Sequence, residues 1–281
     1  MRLQHKNHIR PCAQDYVFYS VNTLLIVLFT LIIAYPLLFV IFASFDGGAG
    51  TLSVNIWPSK WSDAGYRAVF EYGPVWIGYR NSLLYTVVGA LFGLIFCVCA
   101  AYPLAQPNLD GRNLFMGLFV FTMYFGGGLI PTYLTIRSYG LLDNPLAVLV
   151  PASVSVYNMI IMRTYFSTQI PRELREAAQL DGASPWQSFV HITLPHIRVV
   201  VGLLVVLRTI WVFNNFDTIY LITGGGPANL TQTVPIYAYN VGWGLKQLGR
   251  SSAVTVLLLI FLLIVCMFYF KILDKWEKEG A

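Results

Sequence analysis

The 281-residue chain is 57% hydrophobic and only 11% charged. A soluble domain carries about 25% charged residues, so this composition excludes a soluble globular protein and predicts a membrane protein. The formal net charge of +5 at pH 7 could suggest nucleic-acid binding. The basic residues lie mostly in short segments between apolar runs, however, and this distribution is typical of membrane proteins rather than of nucleic-acid-binding proteins.

Six apolar runs are long enough to cross a hydrocarbon core of about 30 Å, which takes about 20 helical residues. They lie near Phe18–Phe42, Ser82–Ala105, Leu114–Ile136, Leu146–Tyr165, Val199–Ile222 and Ser252–Ile272. The first run is about twice as long as the apolar part of a signal peptide, so we expect an uncleaved span. The predicted fold is all-α, one domain over residues 1–281 with six transmembrane helices.

The segments between the runs set the predicted orientation. Lys and Arg are more numerous in the segments on the side of the N-terminus, so the positive-inside rule puts both termini in the cytoplasm. The predicted cytoplasmic segments include the tail 1–16, the loop 166–197 and the tail 273–281, and the larger outer segments are 44–79 and 223–249.

Both outer segments carry local signals. In 44–79, Trp57, Trp61 and Trp76 predict a stretch that lies along the membrane surface and contains a short helix. In 223–249, the run Gly224-Gly225-Gly226-Pro227 predicts a flexible loop.

The cytoplasmic loop 166–197 encodes two short helices set at an angle. Pro171 suits the first position of a helix, and Gly182 suits the left-handed residue that ends it. Ser184-Pro185-Trp186-Gln187 then supplies an N-cap, a first-position proline and a capping-box glutamine. Pro195 is expected to end the second helix.

The two helices together have the features of a docking surface. Ala177 and Ala178 are small and let another protein approach closely, while Leu174, Leu180 and Phe189 supply apolar contacts. The alternative is a well-capped cytoplasmic hairpin that has no partner.

The loop also carries a family signature. The pattern Glu176-Ala177-Ala178, Gly182 and Ile192-x-Leu194-Pro195 resembles the EAA loop of binding-protein-dependent ABC transporter permeases, the family with the MetI-like fold of type I importers. Four segments resemble carbohydrate-uptake permeases, as found in maltose and oligosaccharide importers. They are Tyr35-Pro36-Leu37, the segment 126–132, Gly182-Ala183-Ser184 and the segment 216–227.

The resemblance implies a subunit of the bacterial inner membrane that conducts a sugar or oligosaccharide by alternating access. Its implied partners are a second permease in a heterodimer, ABC ATPase subunits, and an extracytoplasmic binding protein that delivers the substrate. The EAA loop would dock in a cleft of the ATPase, with Glu176 as a polar anchor and Gly182 at the bend. Residues up to Pro195 are more similar to the second permease of such pairs and Trp211–Pro235 to the first, so the role within the pair stays open.

Polar residues in the apolar runs are the candidate substrate path. An ionisable side chain inside a span costs free energy and usually faces protein or a water-filled path. In a helix that continued to Ile222, positions 208, 211, 215 and 218 would share one face. A cation, an aromatic ring and amides on one face suit a sugar. The candidates are Arg208, Trp211, Asn214, Asn215 and Asp217, with Asn158, Tyr157 and Asn81 as further candidates. The alternative role is hydrogen bonding between helices.

Other functional classes fit the sequence less well. There is no G-x-x-x-x-G-K-[ST] phosphate loop, so ATP hydrolysis is assigned to another chain, and no cofactor is expected.

An ion-gradient-driven secondary transporter would show inverted repeats and buried acids at mid-membrane, which Asp217 alone does not supply. A membrane enzyme would need clustered His, Cys or carboxylates. The four histidines fall in cytoplasmic segments and the four cysteines lack metal-ligand spacing, so neither a catalytic nor a metal site is predicted.

Overall fold

The computed structural model describes residues 12–47, 57–142, 144–168, 174, 177–178 and 180–280, and these are almost entirely helical. The helices are α1 (Ala13–Ala43), α2 (Ala64–Glu71), α3 (Gly73–Ala105), α4 (Arg112–Tyr124), α5 (Leu129–Ser138), α6 (Leu146–Ser153), α7 (Val156–Thr168), α8 (Pro185–Ser188), α9 (Leu194–Phe213), α10 (Asp217–Ile222), α11 (Val234–Tyr239) and α12 (Leu248–Gly280). Two π-helical segments, Phe189–Thr193 and Asn240–Gly244, follow α8 and α11. The all-α prediction is confirmed.

Within the described residues, four helical segments are long and apolar enough to cross a membrane. They are Gln14–Ala43, Gly73–Ala105, Trp186–Phe213 and Leu248–Trp276. A fifth span results if α4 and α5, which meet at a bend of 113°, count as one. The predicted number of six transmembrane helices is therefore not confirmed exactly, because three of the six apolar runs are broken.

The third run, Leu114–Ile136, breaks at three consecutive glycines. Helix α4 ends at Tyr124 and α5 begins at Leu129, with Gly126-Gly127-Gly128 between them. Gly128 has φ +83°, a left-handed conformation that glycine adopts at no steric cost. The run is apolar throughout, but it does not form one helix.

The fourth run, Leu146–Tyr165, breaks at Val154-Ser155. Val154 is extended, with φ −107° and ψ 127°, and the backbone N–H of Asn158 donates to Ser155 Oγ at 3.3 Å. Serine is favoured at such helix starts because its side chain satisfies a free N–H of the first turn. The run is therefore two helices, α6 and α7.

The fifth run, Val199–Ile222, ends as a helix at Phe213. The Asn214 side chain donates from Nδ2 to the Ile210 carbonyl at 2.9 Å, a local bond that competes with helix continuation. Asn215 and Phe216 then link α9 to α10. The predicted single helical face through residue 218 is wrong beyond Phe213.

Helix α3 lies at the centre of the bundle and packs against α6, α7 and α9. An apolar cluster joins its second half to α7 and α9. The most buried members are Ala101, Met162, Phe166 and Ile197. In contrast, none of the apolar stretch of α1 is buried, so α1 is peripheral to this core.

Candidate functional site

The bend between the two loop helices has the predicted chemistry. Gly182 has φ +81°, and the Ala183 N–H donates to the Ala178 carbonyl at 2.9 Å. This bond across a left-handed residue is the arrangement that ends helices at glycine. The predicted stop at Gly182 is confirmed. Pro171 and Glu176 lie outside the described residues.

The start of the second loop helix is also as predicted. The Ser184 N–H donates to Gln187 Oε1 at 2.8 Å, and the Gln187 N–H donates to Ser184 Oγ at 3.3 Å. These reciprocal bonds satisfy two backbone donors that the first turn leaves free. The capping box fixes where the chain turns after Gly182.

The end of the second loop helix is different from the prediction. Helix α8 passes through the π-helical segment Phe189–Thr193 into α9, and Pro195 lies in the first turn of α9. The proline does not stop the helix because the wider π turn pairs the Leu194 N–H with the Phe189 carbonyl, and Pro195 has no N–H to pair. Trp186–Phe213 is thus one helical unit of 28 residues, about 42 Å long at 1.5 Å per residue. We call it the connecting helix.

The end of the connecting helix that adjoins the loop packs on the core but keeps apolar side chains exposed. Phe189 packs edge-on against Tyr102 of α3, with ring centroids 5.2 Å apart. Leu180 is 89% exposed and Trp186 72% exposed. Ala177, Leu194 and Pro195 are exposed, whereas Ala178 and Ile192 are half-buried. Exposed apolar side chains on a polar loop indicate a surface for a protein partner.

At its other end the connecting helix borders a cavity of about 580 Å³. The lining residues come from the ends of α6 and α9, from the breaks that follow them and from the start of α10: Pro151, Val154, Ser155, Arg208, Ile210, Trp211, Val212, Asn214, Asn215, Phe216, Asp217 and Thr218. All five candidates from the fifth run are among them. They meet because the chain wraps around the cavity after Phe213, not because they share one helical face.

The remaining candidates lie elsewhere. Asn158 lines a much smaller cavity between α3, α7 and α9, which it shares with Arg208. Tyr157 is exposed at 61% and is not among the lining residues of the larger cavity. Asn81 lies in the first half of α3 and is buried against the segment 223–249.

Asn81 connects the segment 223–249 to α3 by hydrogen bonds. Its Nδ2 lies 3.0 Å from each of three loop carbonyl oxygens. These belong to Asn229, Leu230 and Gln232. Tyr85 OH donates to the Leu230 carbonyl at 2.6 Å, and the Val234 N–H donates to Ser82 Oγ at 3.1 Å. Side chains of α3 thus hold the backbone of this segment between residues 229 and 234, a restraint that its glycine content does not indicate.

The described part of the segment 44–79 is held by aromatic packing. Trp57 and Trp61 pack edge-on, with ring centroids 5.4 Å apart, and Trp57 also contacts Phe42 of α1. The predicted short helix is confirmed as α2. Beyond it, the guanidinium of Arg250 lies 4.5 Å from the ring centroid of Tyr72, which ties this segment to the start of α12.

Together, the apolar helices, the exposed loop and the cavity define a multi-pass membrane permease. The family model described as "Binding-protein-dependent transport system inner membrane component" matches residues 12–278. The chain therefore belongs to this family.

Two relatives from Bacillus subtilis (strain 168) align with parts of the chain. Protein LplC is 36% identical over 183 residues, which are 64% of this chain and 62% of LplC. The polygalacturonan/rhamnogalacturonan transport system permease protein YtcP is 35% identical over 172 residues, 60% of each chain. The chain thus matches about three fifths of the length of either relative.

Solved structures cover more of the chain. A chain of a bacterial ABC transporter involved in the import of the acidic polysaccharide alginate superposes with a TM-score of 0.80 at 27% identity, over 93% of this chain and 98% of that chain. A second alginate transporter structure, in complex with a pentasaccharide-bound periplasmic protein, gives a TM-score of 0.69 at 16% identity, over 91% of this chain and 93% of that chain. The second likeness shows the fold alone.

Proposed function

We propose that the chain is the membrane permease subunit of a bacterial ABC importer for a sugar or oligosaccharide. It would pair with a second permease, be driven by ABC ATPase subunits and receive its substrate from an extracytoplasmic binding protein. Family membership supports the permease role, and the names of several relatives refer to carbohydrates, including polygalacturonan and diacetylchitobiose. The permease itself would carry out no chemical reaction.

The connecting helix carries this proposal. One end, at Trp186, adjoins the exposed surface of the loop, and the other end, at Arg208 and Trp211, borders the cavity. A helix resists bending because each turn is hydrogen-bonded to the next. A movement imposed on the loop by the ATPase would therefore reach the cavity wall at Arg208, about 33 Å away at 1.5 Å per residue, without an intervening hinge.

The orientation is proposed from the charge distribution. The excess of Lys and Arg in the tails and in the loop 166–197 favours both termini and this loop in the cytoplasm, where an ATPase would bind. The outer segments 44–79 and 223–249 would then face the binding protein.

The loop would bind the ATPase through its exposed apolar side chains and its small residues. Leu180 and Trp186 would enter a cleft, Ala177 would allow close approach, and Gly182 would set the angle between the helices. Glu176 would add an ion pair, which contributes at most about 1 kcal/mol at an exposed site. Ile192, Leu194 and Pro195 would hold the connecting helix where it enters the membrane.

The cavity would lie on the substrate path. Trp211 is 74% exposed and offers an aromatic face for the C–H surface of a sugar ring. Asn214, Asn215 and Asp217 supply amide and carboxylate groups that bond hydroxyls. Asn158 would contribute where the smaller cavity meets Arg208.

Reconstitution tests the proposal. The permease would be purified with its second permease and ATPase, placed in proteoliposomes with ATP inside, and supplied with the binding protein and labelled oligosaccharides outside. We expect uptake that requires both ATP and the binding protein. Uptake that persists without ATP and follows an imposed ion gradient would contradict the proposal.

A further inference from the structure

Two arginines, Arg112 and Arg163, meet where α3, α4 and α7 come together at one end of the bundle. Arg112 is the first residue of α4, and Arg163 lies in α7, which packs against both α3 and α4. Arg163 Nε donates to the Leu104 carbonyl at 3.1 Å, which places its guanidinium at the last turn of α3. The two side chains are close enough for their charges to repel each other. The junction therefore concentrates positive charge.

The ends of both side chains are open to a ligand. No acidic side chain among the described residues forms an ion pair with either arginine, and no hydrogen bond from their Nη atoms is found in that part of the chain. Of the nitrogens in the two side chains, Nε of Arg112 alone is both buried and without a described partner. Both residues are half-buried, so the Nη atoms reach the surface of the protein.

The start of α4 adds to the positive charge of the pair. The N-terminus of a helix carries a partial positive charge and N–H groups that the helix does not pair. Its N-cap, Gly111, offers no side-chain hydrogen bond, and the first turn has no acidic residue. Phosphate oxygens suit such a place, because arginine binds phosphate through two parallel hydrogen bonds and helix N-termini bind phosphate through their free N–H groups.

The arginine pair lies at the level of the lipid headgroups. The candidate span Gly73–Ala105 ends beside it, and the bent helix pair that forms another candidate span begins at Arg112. The chain therefore leaves the hydrocarbon core here, where a bilayer has its phosphate groups. None of the residues of α4 is buried, and Leu114, Phe115 and Leu118 next to the pair are exposed apolar side chains. Acyl chains fit this face while a headgroup contacts the arginines.

We propose that Arg112 and Arg163 bind the phosphate of an anionic phospholipid whose acyl chains lie against Phe115 and Leu118. The phosphate neutralises the repelling pair, and an anionic headgroup, unlike a zwitterionic one, brings no cation to it. In the proposed orientation this lipid belongs to the cytoplasmic leaflet. It joins α4 to the ends of α3 and α7, next to the loop 166–197. The inference requires the membrane spans but not the proposed substrate.

The test is a lipid titration of the purified permease, with its co-purifying subunits, in detergent micelles. Dioleoylphosphatidylglycerol is the anionic probe, and dioleoylphosphatidylcholine and inorganic phosphate are the comparisons. We expect the anionic lipid to raise the thermal unfolding temperature most, as a ligand of the folded state does. Arg112→Gln should raise the lipid concentration at half-maximal stabilisation by about tenfold, the equivalent of one charge-assisted bond. Arg112→Lys should raise it less, and Arg67→Gln, at an exposed arginine in α2, should leave it unchanged.

Several results would overturn the inference. One is the same half-maximal concentration in Arg112→Gln and in the unmodified chain, and another is equal stabilisation by phosphatidylcholine or by inorganic phosphate. A loss of ATPase recovery in Arg112→Gln with an unchanged lipid titration would assign the pair to a protein contact instead. If Arg112→Gln does not assemble, the unmodified complex is labelled with lipids that carry a photoreactive acyl chain. Phosphatidylglycerol should then label α4 more than phosphatidylcholine does, and equal labelling would exclude the proposed site.

Discussion

The two ends of the connecting helix are built in opposite ways. At the loop, α8 continues into α9 through a π-helical turn and past a proline. At the cavity, α9 stops at Phe213 and the chain becomes irregular until α10. Continuity suits the end where a movement would be received, because it leaves no hinge. The break suits the end where a substrate would bind, because it turns polar side chains and backbone toward a cavity.

The largest effect is expected from breaking the continuous part. Leu203→Pro would remove a backbone hydrogen bond and cost about 3 kcal/mol or more in a helix interior. We expect uptake to be lost while the ATPase still co-purifies, because the loop is unchanged. The matched control is Leu203→Ala, since this side chain is 39% exposed and alanine keeps the helix. Equal uptake by the two variants would show that continuity is not required.

The bend at Gly182 should give the next largest effect. Among the residues that the structure describes, no atom lies within 4 Å of an added Cβ, so a side chain there would meet backbone strain at φ +81°. For most residues this strain is about 1–2 kcal/mol, and asparagine tolerates it better. Gly182→Val should therefore lower the ATPase recovered per permease several-fold, and Gly182→Asn should lower it less. Equal recovery for both would exclude the bend as a determinant of docking.

The hydrogen bonds between Asn81 and the segment 223–249 should affect the stability of the permease more than its binding to the ATPase. Asn81 is 4% exposed, and Asn81→Ala would leave buried carbonyls without their donor at a cost of about 1–3 kcal/mol. We expect a lower thermal unfolding temperature of the purified complex, with normal ATPase recovery. Asn113→Ala, at an exposed asparagine, is the control. A lower ATPase recovery in Asn81→Ala would mean that the outer surface and the loop are not independent.

The smallest effect is expected at the capping box. Ser184→Ala should destabilise the start of α8 by about 1 kcal/mol, whereas Ser184→Asp keeps an N-cap acceptor. ATPase recovery at increasing temperature should fall earlier for the alanine variant than for the aspartate variant. If both variants behave like the unmodified chain, the cap has no part in presenting the docking surface.

The sequence predicted features whose signals lie within a few residues. Gly182 and the pair Ser184 and Gln187 were found because each cap is defined by its nearest neighbours. The residues at the cavity were found because polar groups in an apolar run are costly. Their arrangement was missed, since apolarity indicates transfer into lipid but not helix continuity, and the runs read as unbroken across Gly126–Gly128 and Val154-Ser155.

Two other features depended on context that the sequence does not contain. A proline can stop a helix or occupy its first turn, and Pro195 was assigned the wrong role because the preceding π turn has no sequence signature. The hydrogen bonds of Asn81 join residues about 150 positions apart, so no local pattern indicates them. Asn81 was therefore considered for the substrate path, although its side chain donates hydrogen bonds to the backbone of the segment 223–249.

The most direct test of the central claim is a pair of distances in the working complex. Spin labels at His191 and Leu207 would lie about 24 Å apart along the connecting helix, and a second pair would join His191 to Asn113 in the first turn of α4. We predict that the first distance is the same with and without trapped ATP, whereas the second changes by several Å. A change in the first distance with a constant second distance would contradict transmission by a continuous helix.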